Sequence, residues 1–84
     1  MQDLKPTNQK SFYGKAQINK KAPDCVELYS YGTLVCQFNL ISGKFTRIWR
    51  NYSATTMKHI NDFRNMYALK SMGKKEWESL PIEF

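Results

Sequence analysis

The sequence predicts an α+β fold: a four-stranded antiparallel β-meander with one amphipathic helix packed on one face and a short C-terminal helix or tail. Three observations point to it. Four short segments carry strand-like apolar patterning between turn residues. One stretch, residues 53–67, has helical period and a capping residue ahead of it. The strand-like segments follow one another across turn-sized breaks, so sequential hairpins are the simplest topology. The 84 residues make one domain with a thin core, because a chain this short buries only about 60% of its unfolded surface. The 42% apolar and 14% aromatic content supplies the burial that length does not.

Residues 1–10 (M-Q-D-L-K-P-T-N-Q-K) are polar and broken by Pro6. They are expected to form a flexible N-terminal arm ahead of a single domain over 11–84. Ser11 to Asn19 reads as the first strand. Phe12, Gly14, Ala16 and Ile18 fall on one face and Tyr13, Lys15 and Gln17 on the other, the pattern of a half-buried strand. Gly14 marks a bulge or a close approach. Residues 20–24 read as a turn or loop. Cys25 to Ser30 and Leu34 to Leu40 are the next two strands. A two-residue loop at Tyr31-Gly32 would set Val26 and Leu28 against the wrong face of the following strand. A three-residue loop pairs Val26 with Phe38, Leu28 with Cys36 and Ser30 with Leu34, which keeps the apolar residues together. In that register Cys36 points inward and Cys25 outward, a poor geometry for a disulfide.

Ser42-Gly43 marks the turn into a fourth strand, Lys44 to Trp49. A two-residue loop there puts Phe45 and Trp49 on the core face, but also Arg47; a slipped register buries Ile48 instead. The residues leave both open. Ser53 is placed as a helix N-cap. Met57, Ile60, Phe63 or Arg64, and Tyr67 then recur at helical spacing and form a stripe able to cover the sheet. Ser71-Met72-Gly73 is expected to end this helix, with Gly73 as its C-cap. Lys74 to Leu80 could form a second short helix, with Trp77, Leu80, Ile82 and Phe84 anchoring a tail that folds back.

The chemistry of catalysis is sparse. His59 is the one histidine, and on its helix only Asp62 could join it as a metal ligand, so no metal site is expected. A hydroxyl nucleophile would need His59 as its base, and nothing nearby in the chain supports a triad. Neither cysteine has a basic neighbour or helix N-terminus close in sequence to activate it. Zinc spacings, phosphate loops and dinucleotide fingerprints are missing. The expectation is a non-enzyme with no cofactor. Met1 to Lys5 lack the features of a secretory signal, and no apolar run approaches the ~18 residues of a membrane span. A cytoplasmic protein with reduced thiols and no membrane contact is expected.

The net charge is +6, from thirteen Lys and Arg against seven Asp and Glu. That balance favours polyanionic partners, nucleic acid first. The candidate contact residues are Lys15, Lys20, Lys21, Tyr29, Tyr31, Arg47, Arg50, Asn51, Tyr52, Lys58 and Asn61. Lysine and arginine would reach phosphates and exposed tyrosines would stack on bases; the same tyrosines would equally serve a protein interface. The open edges of a meander leave a homodimer through an edge strand as a further expectation.

The segments S-F-Y-G-K-A at 11–16, E-L-Y-S-Y-G-T at 27–33, F-T-R-I-W-R-N-Y-S-A-T-T-M-K-H-I-N-D-F at 45–63 and K-K-E-W-E-S-L at 74–80 together resemble a family of short uncharacterised proteins. Its members come from Gram-positive bacteria and from their plasmids and phages. The resemblance implies a mobile-element setting and carries over no catalytic residue. In that setting the first expectation is a small nucleic-acid-binding protein. The alternative is an anti-defence inhibitor, anti-CRISPR-like, or an adaptor that binds a host protein such as a nuclease complex.

Overall fold

The structure, a computed structural model, describes residues 2–3 and 15–83. In chain order the elements are β1 (Gln2–Asp3), β2 (Ala16–Ala22), β3 (Cys25–Ser30), β4 (Thr33–Asn39), β5 (Phe45–Arg47), α1 (Ala54–Met66) and α2 (Lys74–Ser79). All strands lie in one sheet in the order β1-β2-β3-β4-β5, each pair antiparallel. The expected meander is therefore present as β2 to β5. A two-residue strand precedes it, with Gln2 opposite Ile18 and Asp3 opposite Gln17. Residues 4–10 of the expected arm, the beginning of the expected first strand with Phe12, Tyr13 and Gly14, and Phe84 lie outside the described residues.

Several boundaries differ from expectation for local reasons. β2 continues to Ala22, so Lys20 and Lys21 are strand residues and the turn is Pro23-Asp24 alone. A register irregularity between Lys20 and Ala22 absorbs one residue and lets the strand go on. The β3–β4 hairpin pairs Val26 with Phe38 and Leu28 with Cys36, as the apolar pattern requires. The register then shifts between Leu28 and Tyr29, and Ser30 faces Thr33 rather than Leu34. The turn is thus Tyr31-Gly32, with φ of 52° and 78°, the left-handed pair that matches strand twist. The irregularity also buries two successive residues, Val35 and Cys36, which plain alternation forbids. The β4–β5 connection spans residues 40–44 rather than Ser42-Gly43 alone. The Asn39 carboxamide oxygen accepts the amide hydrogens of Ile41 and Ser42 at 3.0 and 2.7 Å. Phe38 then opposes Phe45, and Cys36 opposes Arg47.

Helix α1 starts as expected, with the Thr56 amide donating to Ser53 Oγ at 3.1 Å. Met57, Ile60 and Phe63 are buried against the sheet. It ends at Met66, earlier than Ser71-Met72-Gly73. Ala68 takes a left-handed φ of 62°, and the Ala68 and Leu69 amides donate to the carbonyls of Asn65 and Arg64 at 3.1 and 2.9 Å. This closing geometry usually uses glycine; here alanine accepts the strain. Gly73 instead precedes α2 as its N-cap. Helix α2 sets Trp77 fully into the core beside Leu28, Ile60 and Phe63. The Tyr67 ring meets Phe63 edge-on at 5.3 Å and Phe38 at 5.5 Å. Cys36 is fully buried, which pushes its thiol pKa well up despite the nearby Arg64 charge. Cys25 lies on the other sheet face, donating to Gln37 at 3.2 Å.

Two polar groups are built into this core. Arg47 is 5% exposed. Its guanidinium donates to the carbonyls of Trp49 (2.9 Å), Trp77 (2.9 Å), Leu80 (3.2 Å) and Arg50 (2.6 Å). It also lies 4.9 Å from the Trp77 ring centre. The second group is Ser30, Thr56 and His59: Ser30 Oγ is 3.0 Å from Thr56 Oγ1 and 2.8 Å from His59 Nδ1, and all three residues are buried. Burial lowers the His59 pKa below the usual histidine value. Asp62 opposes that shift, while the Lys58 and Lys15 charges add to it.

Arg47→Lys is expected to cost about 2 kcal/mol or more in urea unfolding, because a single ammonium cannot reach four dispersed carbonyls. Arg50→Lys, on an exposed residue, should stay within about 0.5 kcal/mol. For His59, a folded-state pKa held below the unfolded value means that its contribution is complete above pH ~6.5 and is lost as pH falls towards the folded value. Wild type should therefore lose stability relative to His59→Gln between about pH 7 and pH 5; parallel stability curves over that range would refute this.

Candidate functional site

The candidate residues divide by burial. Arg47 leaves the list: its guanidinium is closed in by four carbonyls and an indole and has no free edge for a phosphate. The sequence pattern counted it as an inward-facing misfit, and the misfit was the true signal. Asn61 is also engaged in the fold. Its amide nitrogen donates to the Met72 carbonyl at 3.0 Å, and its amide oxygen accepts the Met72 amide hydrogen at 2.8 Å. That two-point bond ties the α1–α2 loop to α1. Tyr29 is half-buried, on the sheet face turned away from α1 by strand alternation. Lys20 and Lys21 are exposed near the far end of β2, at the end of the strand opposite Lys15.

The others gather beside α1. Tyr52, Lys58, Asn61 and Lys74 line an open groove of about 470 Å³ between α1, the segment before it and the start of α2. Lys74 Nζ stands 5.3 Å from the centre of the Tyr52 ring. Lys58 pairs with the nearly buried Asp62 at 3.6 Å, which places the ammonium at the groove. Arg50 and Asn51 immediately precede Tyr52 and are exposed. Their backbone is held from within, because Arg47 takes the Arg50 carbonyl at 2.6 Å and the Trp77 indole takes the Asn51 carbonyl at 2.9 Å. The buried groups thus fix the main chain from which the exposed ones project.

A second cluster adjoins the first turn of α1. Tyr31 is 55% exposed at the β3–β4 turn. Its ring centre is 5.6 Å from that of His59 and 6.0 Å from Lys15 Nζ, and the Tyr31 amide donates to the Lys15 carbonyl at 2.7 Å. His59 of this cluster and Lys58 of the groove are consecutive residues of α1.

Three acidic groups are engaged away from the groove, and a fourth, Asp62, lines it and pairs with Lys58. Glu27 is buried and accepts from Asn19 at 3.0 Å, Asp24 accepts from Asn39 at 3.2 Å, and Glu83 pairs with Lys44 at 3.3 Å. The first turn of α1 carries no acidic residue. Beside α1 the exposed cations Arg50 and Lys74 thus stand near a lysine that is already paired with Asp62. Lys74 was missed as a site residue: it reads in the sequence as the start of a short second helix, and only the placement of α2 brings it to Tyr52.

The Ser30–His59 distance is that of a nucleophile and its base. Both side chains are buried, at 3% and 2% exposure, and Ser30 Oγ also bonds Thr56 Oγ1 at 3.0 Å. The arrangement suits a structural bond in the core. Among the described residues no group of three or more His, Cys, Asp or Glu side chains is placed to hold a metal ion, and no helix is long and apolar enough to cross a membrane.

No curated protein and no solved structure gives a significant match to this chain. Residues 2–79 match the model of a family of unknown function, DUF8033, and the chain belongs to that family.

Proposed function

We propose that this protein is a small, non-catalytic binder that holds nucleic acid on the basic, aromatic surface beside α1. The observation that carries the reading is the groove in which Tyr52 and Lys74 stand 5.3 Å apart, with Lys58 on its wall and Arg50 and Asn51 beside it. Cations at such a surface neutralise phosphates, and an exposed ring offers a face for a base. The buried state of His59 and Ser30 supports the non-catalytic part. The resemblance to short proteins of Gram-positive bacteria and their phages and plasmids adds a setting: a mobile-element protein acting in the host cytoplasm.

One further observation favours a second reading. Leu40, Ile41 and Met66 are large apolar residues exposed at 42%, 84% and 52%. Leu40 and Met66 share a groove of about 500 Å³ with Ile18, Val26, Tyr67 and Lys20. Clustered apolar exposure of this kind marks a protein contact. It supports the anti-defence inhibitor or adaptor that binds a host protein, and this face is distinct from the groove at Tyr52.

A mobility-shift titration tests the first reading. DNA or RNA should be retained at low salt, and log affinity for single strands should fall with log salt at a slope of about −3, as four cations (Lys15, Arg50, Lys58 and Lys74) at ~0.7 each imply. Arg50→Gln with Lys74→Gln should flatten that slope by about half. Failure to retain any DNA or RNA at low salt would end the proposal. For the second reading, a specific host protein should be captured by wild type and lost with Ile41→Glu combined with Met66→Glu, while nucleic-acid retention is unchanged.

A further inference from the structure

We propose that the nucleic acid held here is single-stranded, and that Tyr31 and Tyr52 are two base-stacking platforms, each paired with a lysine for the neighbouring phosphate. The inference rests on the nucleic-acid reading above and adds which form of nucleic acid binds, and how.

The two stations have the same composition. Tyr31 has Lys15 Nζ at 6.0 Å from its ring centre, and Tyr52 has Lys74 Nζ at 5.3 Å. Both rings are exposed, at 55% and 36%. Lys58 lines the groove that holds Tyr52 and precedes His59, whose ring centre lies 5.6 Å from that of Tyr31. A cation beside a ring face at both stations fits a strand whose phosphates and bases alternate.

The backbone at Tyr31 argues in the same direction. Its φ of 52° is a left-handed conformation that asparagine or glycine adopts easily and a bulky aromatic does not. A tyrosine there weakens the hairpin, and its exposed ring gains little burial in return. Such a strained residue on a surface is explained when the ring is needed where the turn puts it. The ring is also supported: His59 beneath it is fixed by the bond from Nδ1 to Ser30 Oγ at 2.8 Å, and Ser30 in turn contacts Thr56. A pre-set platform binds with little ordering cost.

A duplex cannot use these features. Its base faces are stacked inside, so it offers phosphates and groove edges only, and both rings would be idle. Reading a duplex groove calls for a projecting helix or ribbon, whereas α1 lies along the sheet with its apolar side buried in the core.

The test is fluorescence anisotropy of the full chain with labelled ~10-nucleotide oligothymidylate, its RNA counterpart, and a duplex of the same length, a size within the range of single-strand sites. The single strands should bind at least tenfold more tightly than the duplex. Tyr31→Ala and Tyr52→Ala should each weaken single-strand binding about 5- to 100-fold with no change in salt slope. Tyr31→Phe and Tyr52→Phe should retain binding, which separates the loss of a ring from a loss of folding. Lys15→Gln and Lys74→Gln should each flatten the slope by about 0.7. Duplex binding as tight as single-strand binding, or alanine variants that bind single strands like wild type, would overturn this inference and leave the broader reading standing. No binding of any of the three probes would overturn both.

Discussion

The structure depends on one buried cation. Arg47 sits at the end of β5 with its charge removed from water, and among the described residues its partners are carbonyl oxygens and an indole ring rather than a carboxylate. Desolvating a guanidinium is costly unless all of its donors are used. Here the costs of several elements are met together. The C-terminal carbonyls of α2 lack intrahelical donors, and α2 carries no basic residue in its own last turn. Arg47 supplies that charge from another element, where the helix dipole favours it. The same side chain takes the carbonyls of Trp49 and Arg50, which leave the sheet without strand partners. The Arg47 main chain also takes part, pairing in parallel with Ile82 and accepting the Glu83 amide at 2.9 Å. One residue therefore joins the sheet edge, the strand-to-helix connection and the C-terminal segment. A thin apolar core could not hold these parts by burial alone.

Other polar side chains do similar work on a smaller scale. Asn61 closes the α1–α2 loop through both Met72 backbone groups. His59, Ser30 and Thr56 bond the start of α1 to the end of β3 inside the core. Satisfied groups of this kind fix one arrangement where apolar contacts alone would tolerate several. They also explain why residues dense in functional chemistry need not be functional sites. In a domain of this size the polar side chains nearest the core are needed as joints. The long cations and rings of the candidate surface lie close to these joints in the chain: Arg50 three residues beyond Arg47, Lys58 beside His59, Tyr31 beyond Ser30.

Much of this fold was legible. The apolar pairing of Val26 with Phe38 and Leu28 with Cys36 followed from alternation alone, and Ser53 with Met57, Ile60 and Phe63 followed from cap chemistry and helical period. The misses have physical causes. At the β3–β4 hairpin a two-residue turn and the apolar register looked incompatible, and the irregularity after Leu28 lets both hold. The end of α1 was placed at glycine, whereas Ala68 takes the left-handed turn because the orphan carbonyls of Arg64 and Asn65 are satisfied there. Arg47 was legible as a contradiction in the face pattern, but its four acceptors come from segments far apart in sequence, which periodicity cannot bring together. For the candidate site, Arg50, Asn51, Tyr52 and Lys58 were readable from charge and exposure. Lys74 was not, since its approach to Tyr52 depends on where α2 folds.

The two non-glycine residues with left-handed backbone repay comparison. Ala68 is compensated locally: its own amide and the next one satisfy carbonyls that the helix end would otherwise leave open. Its strain is repaid within one turn, and its small side chain has no other task. Tyr31 makes a backbone bond to Lys15, as any residue in that turn position could, so nothing in the backbone calls for a tyrosine. What distinguishes it is the ring, half out of the protein, backed by a histidine whose own position is fixed from the core. The strain at Ala68 serves the fold; the strain at Tyr31 sets an exposed ring at the turn. The Tyr31 amide donates to the Lys15 carbonyl, so the two main chains that carry ring and cation are joined. Flexible lysines scattered over a surface give only a diffuse positive field. Lysines within 6 Å of an exposed ring set charge and ring side by side, the arrangement on which the proposed single-strand contact rests.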